Sequence, residues 1–236
     1  MHLEPPRRPL SVRGIPLLAN GDRMKQPEFH RLYELYDDDT KIELVGGIVY
    51  MSSPLRRPHS DYGANLAYGL ERYAEDTPGV HTLLNATTIL GEESEPQPDL
   101  GLRILPAFGG RSRDEGKYVA GPVEMLGEIA YASRSIDLHA KLDDYRAAGV
   151  LEYLVVLVEE QEVRWFHFPS DREIQPDRSG IAKSRVFPGL WIDVPALLRL
   201  DSRAIRKAVE AGLRSKAHAT FVRRLQAAHR RHNPLS

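Results

Sequence analysis

Two ionisable residues stand where apolar side chains are expected, within the segment GEIAYASRSIDLHAKLDDY. Glu128 interrupts an apolar run that is typical of a central β-strand. Lys141 shares the helical spacing of Leu138, Leu142 and Tyr145, the stripe that an amphipathic helix turns toward the core. Because burying an ionised side chain is costly, both residues need compensating partners or a route to water. For Lys141 that route is snorkelling, in which only the methylenes are buried, and for Glu128 it is an edge position that faces water.

Asp99 supplies another carboxylate, at the start of a predicted strand in QPDLGLRI. Glu128 lies late in its own strand, and ligands of open α/β sheets gather at the carboxyl ends of strands. Glu124 falls on the same strand face as Glu128, where like charges repel unless a cation or a proton intervenes. Two carboxylates on adjacent strands, with a lysine above them, would suit Mg²⁺ and leave room for phosphate oxygens. The lysine could then neutralise charge on a phosphoryl group or orient the attacking water. The spacing also occurs by chance, so it defines a hypothesis and not a motif.

The composition restricts the remaining classes of function. The 236 residues include no cysteine, which excludes disulfides, thiol catalysis and cysteine-ligated zinc. There is no apolar run long enough for a membrane span, and the N-terminus lacks the apolar stretch of a signal peptide. The nine histidines show no zinc spacing, and FGGRSRDEGK lacks the spacing of a phosphate-binding P-loop. We therefore expect a cytoplasmic protein that does not enter the membrane.

The periodicity along the chain predicts an α/β fold with a mixed sheet. Two short strands flank Gly46 and Gly47, and an amphipathic helix follows in RPHSDYGANLAYGLERYAE. Further strands are predicted in GVHTLLNATTILGE and PDLGLRIL, whereas PAFGGRSRDEGKYVAGP has the composition of a basic loop. The segments VEMLGEIAY, SIDLHAKLDDYRAAG and LEYLVVLV then form a βαβ unit, which sets two parallel strands side by side.

Charge is unevenly distributed along the chain. Residues 201–236 hold nine Lys and Arg against two acidic residues, a net charge of +7, and the rest of the chain carries −8. A basic C-terminal helix and tail could contact nucleic acid, but a solvated helix face or a docked tail would have the same composition. We divide the chain into a flexible leader at 1–20, one domain at 21–200 and the basic C-terminal helix and tail at 201–236.

Six blocks occur in an order that resembles a known family. They are ELVGGIVYMSSP, a helix that opens with His59, QPDLGL, GEIAYASRS, KLDDYRAAGVLEYLVV and FPGLWIDVPALL. Together they resemble the Uma-type putative restriction endonucleases of the PD-(D/E)xK nuclease superfamily, over roughly residues 25–225. The resemblance implies a restriction-endonuclease-like core, in which α-helices flank a central mixed β-sheet, for residues 21–200. It also implies hydrolysis of DNA phosphodiester bonds that depends on Mg²⁺, or on Mn²⁺ in its place.

Residue roles follow from the resemblance position by position. Asp99 corresponds to the aspartate of the Pro-Asp motif and Glu128 to the second acidic metal ligand. The superfamily pattern has its lysine two residues after the glutamate, where this chain has Ala130. The Uma-type proteins instead carry the lysine on the following helix, at the position of Lys141. That agrees with the core-facing spacing of Lys141, and it implies that Lys141 stabilises the transition state.

Two further residues match family blocks. Glu43 begins the hairpin and could bind a second metal or a metal-bound water, and it could equally be an ordinary hairpin residue. His59 could contact the phosphate or carry a proton, since histidine changes charge near neutral pH, and it could equally be a hydrogen-bonded core histidine. The resemblance therefore implies an extended set of catalytic residues around the two metal ligands.

Two functions are consistent with the sequence. The first is a metal-dependent DNA endonuclease, which could cut both strands of a duplex as a symmetric homodimer. The second is a catalytically inactive nuclease fold that binds DNA or protein, because a fold alone does not fix a function. Metal-dependent cleavage of DNA that requires Asp99 separates the two hypotheses.

Overall fold

The computed structural model describes residues 11–12, 15–36, 40–51, 56–131 and 133–233. Most of the predicted leader at 1–20 lies outside these ranges. The α-helices are α1 (Gln26–Tyr33), α2 (Arg57–Glu75), α3 (Lys141–Ala147), α4 (Val194–Leu198), α5 (Ser202–Leu213) and α6 (Lys216–His232). The strands are β1 (Ser11–Val12), β2 (Ile15–Pro16), β3 (Ile42–Val45), β4 (Ile48–Met51), β5 (Val80–Leu84), β6 (Thr88–Ile89), β7 (Leu100–Ile104), β8 (Arg113–Glu115), β9 (Tyr118–Ala120), β10 (Met125–Ala130), β11 (Glu152–Leu157), β12 (Glu162–His167), β13 (Arg172–Glu173), β14 (Ile181–Lys183) and β15 (Trp191–Asp193).

A six-stranded mixed sheet with the order β13-β12-β11-β10-β7-β5 forms the centre of the fold. Its middle pair, β10 and β11, is parallel, and the other neighbours are antiparallel. The predicted βαβ unit is therefore present, with α3 as the crossover helix. Both parallel strands are buried along their whole length, which explains their nearly continuous apolar sequence.

The two faces of the sheet enter separate cores. Met125 and Ile129 of β10 pack with the apolar side of α2 and with α5 and α6. Leu126 and Ala130 belong to the opposite core, with Tyr145 of α3. Because side chains alternate along a strand, Glu128 lies on the same face as Leu126 and Ala130. The fold therefore turns Glu128 toward the helix that carries Lys141.

Two other elements bring residues to the same end of the sheet. The hairpin β3–β4 closes through Gly46 and Gly47, whose φ angles of +57° and +75° are those that a two-residue hairpin turn favours. Helix α2 coincides with the predicted amphipathic segment and has a proline in its first turn, which is a favoured helix start. Glu43 lies on β3, and His59 lies in the first turn of α2.

Two segments differ from their prediction. The predicted basic loop contains β8 and β9, which form a hairpin that joins β6 in a three-stranded sheet. Its first strand has three exposed charged residues, so its composition resembles that of a loop. The predicted crossover helix is not α-helical throughout, because a π-helical turn at Ile136–Ala140 precedes α3.

The basic C-terminal region forms two helices that pack on the body. Ile205 and Val209 of α5 and Phe221 and Leu225 of α6 enter the same core as α2 and the sheet. All nine Lys and Arg residues of this region are exposed. The helices therefore dock through apolar stripes and present their charge to solvent. None of the helices in the described part of the chain has the length and apolar character that crossing a membrane requires.

Candidate active site

Asp99 and Glu128 come together at one end of the central sheet. Strand β7 pairs with β10 so that Leu100 opposes Gly127, and the next position along each strand brings Asp99 beside Glu128. The N–H of Ile129 donates to Asp99 Oδ2 at 2.9 Å and holds the carboxylate against β10. Both acids are buried, with 7% of Asp99 and 3% of Glu128 exposed. Two acids separated in the sequence thus share one face of the sheet.

Asp99 is held as a carboxylate by two side chains. His59 Nε2 lies 2.9 Å from Asp99 Oδ2, and Lys41 Nζ lies 3.2 Å from Asp99 Oδ1. Burial raises the pKa of Asp99, but the hydrogen bond from His59 and the charge of Lys41 outweigh burial and hold that pKa well below its usual value. His59 therefore contacts the predicted metal ligand directly. A hydrogen-bonded histidine with only a structural task would make the same contact, so the catalytic role of His59 stays a prediction.

Lys141 and Glu128 compensate each other directly. Lys141 Nζ donates to Glu128 Oε1 and to Glu43 Oε1, each at 2.9 Å, and the Tyr145 hydroxyl donates to Glu128 Oε1 at 2.8 Å. Lys141 is only 3% exposed, so its ammonium does not reach solvent by snorkelling. Glu43 is likewise a buried partner of Lys141 and not an ordinary hairpin residue. The structure thus brings all five predicted site residues into one cluster.

Burial and charge shape the pKa values of this pair. Burial, together with the neighbouring carboxylates of Asp99 and Asp137, raises the pKa of Glu128 to about 8 against the opposing charge of Lys141. Burial alone would lower the pKa of Lys141, but the carboxylates of Glu128 and Glu43 raise it well above the usual value. Lys141 is therefore retained as an ammonium, and Glu128 is the member of the pair that takes up a proton near neutral pH.

Sequence reasoning missed two members of the cluster, Lys41 and Asp137. Lys41 lies directly before β3 and two positions before Glu43, and this period-two spacing was the signal that could have found it. Asp137 Oδ2 accepts from Ser133 at 2.5 Å, whereas Asp137 Oδ1 is buried without a hydrogen bond, 3.9 Å from Lys141 Nζ. Asp137 could have been found in the sequence from its four-residue spacing to Lys141, which places the two side chains on one face of a helix. We use the name acid–lysine centre for Lys41, Glu43, His59, Asp99, Glu128, Asp137 and Lys141.

Three acids of the centre each have one oxygen that two protein donors occupy. These oxygens are Asp99 Oδ2, Glu128 Oε1 and Glu43 Oε1, the last of which accepts from Lys141 and from the N–H of Gln97. Of the other oxygens, Asp99 Oδ1 contacts Lys41, and within the described ranges no donor contacts Glu128 Oε2 or Glu43 Oε2. Each carboxylate is thus fixed by one oxygen while the second could serve a ligand.

The acid–lysine centre has a surplus of negative charge. With all four acids ionised and the histidine neutral, four carboxylates oppose two ammonium groups, which leaves a formal charge of −2. Near neutral pH, without a bound cation, a proton on Glu128 offsets part of that charge. One divalent cation would cancel that charge, and carboxylate oxygens are ligands that Mg²⁺ accepts. Among the residues that the structure describes, no three His, Asp or Glu side chains converge as a preformed metal centre, and the ammonium groups contact the acids instead. The charge and the carboxylate oxygens of the centre would suit Mg²⁺, and Asp99 and Glu128 remain its predicted ligands.

Other charged residues that the sequence singled out lie elsewhere. Glu124 accepts from the N–H groups of Ile104 and Arg111, so it fastens the loop after β7, and its charged partner is the guanidinium of Arg111 at 3.8 Å. Helix α6 packs against the turn at Pro106–Phe108, which follows the end of β7 opposite to Asp99. The basic residues of α6 are therefore remote from the acid–lysine centre along that strand.

Known proteins share this fold and sequence pattern. The model of the Uma2 family, described as putative restriction endonuclease, matches residues 26–195. Among solved structures, a putative nuclease belonging to DUF820 from Anabaena variabilis is similar, with a TM-score of 0.61 and 13% identity over 75% of this chain and 98% of that chain. At this identity the likeness shows the fold alone. The comparison with curated proteins gives no match.

The mixed sheet and its flanking helices define a protein with a restriction-endonuclease-like fold, as the sequence predicted. This chain belongs to the Uma2 family of putative restriction endonucleases, because the family model covers more than half of its length. The matched part runs from α1 into α4 and contains the whole acid–lysine centre.

Proposed function

We propose that the protein is an endonuclease that hydrolyses DNA phosphodiester bonds with Mg²⁺, or with Mn²⁺ in its place. One observation carries the proposal: in a chain of the Uma2 family, Lys141 contacts Glu128 and Glu43 in a buried cluster beside Asp99. Buried carboxylates with a surplus of negative charge are what a divalent cation would neutralise.

Each residue has a distinct task in this proposal. Asp99 and Glu128 would hold the cation, which when bound supplies Lewis-acid stabilisation of the charge on the phosphoryl oxygens. Lys141 keeps Glu128 and Glu43 in place and adds positive charge to the centre. His59 orients Asp99 through the contact with Oδ2. The family resemblance implies in-line attack of water on phosphorus with release of the 3′ oxygen, which leaves a 5′-phosphate.

The substrate and setting belong to the same proposal. DNA is the partner that the family description supports, and a homodimer would present two centres to the two strands of a duplex. We expect this activity in the cytoplasm, as the cysteine-free sequence predicts. The exposed basic residues of α5 and α6 could contact the DNA backbone away from the scissile bond, in which case binding weakens as salt is added.

Cleavage assays with matched variants test the proposal. Purified wild type, Asp99→Asn and Asp171→Asn are incubated with supercoiled plasmid or single-stranded DNA in Mg²⁺, Mn²⁺ or EDTA. Asp171 serves as the control because it is exposed and pairs only with the exposed Arg146 among the described residues. Thermal unfolding of each protein shows whether it is folded.

We expect cleavage by the wild type and by Asp171→Asn in the presence of metal, and none by folded Asp99→Asn. Cleavage by all three proteins would mean that the active centre lies elsewhere or that a contaminant cuts. If none of them cuts under any condition, the binding-module hypothesis replaces the nuclease.

A further inference from the structure

The two lysines of the acid–lysine centre are held in different ways. Lys141 Nζ lies 2.9 Å from both Glu43 and Glu128 and 3.9 Å from Asp137, and its side chain is 4% exposed. The side chain of Lys41 is 22% exposed, and in the described ranges its ion pair is with Asp99 Oδ1, at 3.2 Å. Lys141 is thus surrounded by anions, whereas Lys41 has hydrogen-bond donors to spare and access to solvent.

Asp99 leaves one oxygen for a metal ion, and Lys41 holds that oxygen. Asp99 Oδ2 already accepts from His59 and from the N–H of Ile129. A divalent cation that binds Asp99 would therefore use Oδ1, the oxygen that Lys41 contacts. Two positive charges at one carboxylate oxygen repel each other, so Lys41 and the cation compete for Asp99 Oδ1.

We propose that Lys41 is a resident counter-ion of Asp99, which leaves Oδ1 when a divalent cation binds there and then pairs with the DNA phosphate. The inference rests on the proposed function. The flexible stem of a lysine allows the ammonium to move between two nearby anions. Lys141 stays on Glu43 and Glu128 and positions them, so the phosphate contact falls to Lys41 and not to the lysine that the family resemblance indicates.

This exchange predicts two opposite effects of removing the charge at position 41. Without the ammonium, Asp99 Oδ1 is open, so the metal ion should bind more tightly. Without the ammonium, the phosphate also lacks a charged partner, so turnover should fall. A lysine that merely supported the fold would weaken both properties when replaced.

The experiment measures Mn²⁺ binding and DNA cleavage separately. Mn²⁺ affinity is determined by electron paramagnetic resonance without DNA, for wild type, Lys41→Met, Lys41→Arg and Lys25→Met. Lys25 is the control because it is an exposed lysine paired with the exposed Glu93 outside the centre. Unfolding curves in EDTA show which variants are folded, and Lys41→Arg retains a cation if Lys41→Met folds poorly.

We expect Lys41→Met to bind Mn²⁺ about fivefold or more tightly, since no competing ammonium holds the site. Its kcat should fall about 100-fold, as for the loss of one charge-stabilising donor. Lys41→Arg should bind Mn²⁺ no more tightly than the wild type, and Lys25→Met should match the wild type in both assays. If the wild type binds Mn²⁺ and cuts DNA while folded Lys41→Met binds no more tightly, the counter-ion role is overturned and the nuclease stands. If the wild type neither binds Mn²⁺ nor cuts DNA, both proposals fail.

Discussion

Glu128 and Glu152 lie on the two parallel strands of the central sheet and are buried to nearly the same extent, with 3% and 0% exposed. Glu152 accepts from the N–H groups of Arg185 and Val186 and from the Ser184 hydroxyl, at 2.7 to 3.1 Å. Glu128 accepts from side chains alone among its described partners, the ammonium of Lys141 and the hydroxyl of Tyr145. Burial raises the pKa of both glutamates.

The difference separates a structural acid from a candidate catalytic acid. Backbone donors are fixed by the fold, so Glu152 fastens the segment at 184–186 to β11 and cannot exchange its partners without local unfolding. The partners of Glu128 are side chains, and further carboxylates surround it. Burial alone therefore does not mark a functional acid. What distinguishes Glu128 is the group of carboxylates and the ammonium that surround it, because Asp99 and Glu43 of the same centre also accept from backbone N–H groups.

The largest effect should come from removing the lysine that Glu128 and Glu43 share. Lys141→Met leaves two buried carboxylates without their ammonium, which should lower the free energy of unfolding by about 3–5 kcal/mol. Urea unfolding measures this change. The double variant Lys141→Met/Glu128→Gln should be more stable than Lys141→Met, because it removes one unpaired charge. A double variant that loses the sum of both single effects would contradict this pairing.

The second largest effect should be a change in how the free energy of unfolding depends on pH when Glu128 is replaced. The pKa of Glu128 is raised to about 8 in the folded protein from a usual value of 4.5. Between these values the folded state binds more protons, so the contribution of Glu128 to the free energy of unfolding falls as pH rises from about 5 to about 8 and then levels off. Urea unfolding in EDTA across this range should show a weaker pH dependence for Glu128→Gln than for the wild type. Parallel profiles for the two proteins would contradict the raised pKa.

Glu152→Gln should have a moderate effect on stability and none on chemistry. One oxygen is retained for hydrogen bonding, but a charged acceptor of three donors is lost, so we expect about 1–3 kcal/mol of destabilisation. Urea unfolding and Mn²⁺ binding on the same sample measure the two properties. Altered Mn²⁺ affinity in a folded Glu152→Gln protein would remove the distinction between the two glutamates.

Removing single hydroxyl donors should have the smallest effects. Tyr145→Phe deletes one donor to Glu128 but leaves Lys141 on the same oxygen, so we expect a loss of about 1 kcal/mol. Ser184→Ala should cost more, because the Ser184 hydroxyl donates to Glu152 and also accepts from the N–H of Phe187. Thermal unfolding of the two variants tests this order, and a reversed order would contradict it.

Sequence reasoning located the residues that break a local pattern. Glu128 interrupts an apolar strand and Lys141 an apolar helix stripe, so both were visible from periodicity. Glu43 and His59 became candidates only through the family blocks, because a charged hairpin residue and a helical histidine are ordinary by themselves. Lys41 was missed because the start of a hairpin commonly carries an exposed lysine, although the structure turns this one toward Asp99.

Other features depend on contacts that no local pattern contains. Glu124 and Glu128 share a strand face by period, yet the loop after β7 supplies backbone donors to Glu124 and not to Glu128. The strands β8 and β9 escaped prediction because exposed charged residues dominate β8. The assignment of Glu152 as a structural acid likewise required the folded position of the segment at 184–186.

The most direct test compares the same chemical change at the two buried glutamates. Mg²⁺- and Mn²⁺-dependent nicking of supercoiled plasmid is measured for Glu128→Gln and Glu152→Gln, with each rate expressed per folded molecule. We expect Glu152→Gln to retain the rate of the wild type and Glu128→Gln to lose about 100-fold or more. Equal rates for the two folded variants would contradict the assignment of the acid–lysine centre as the active site.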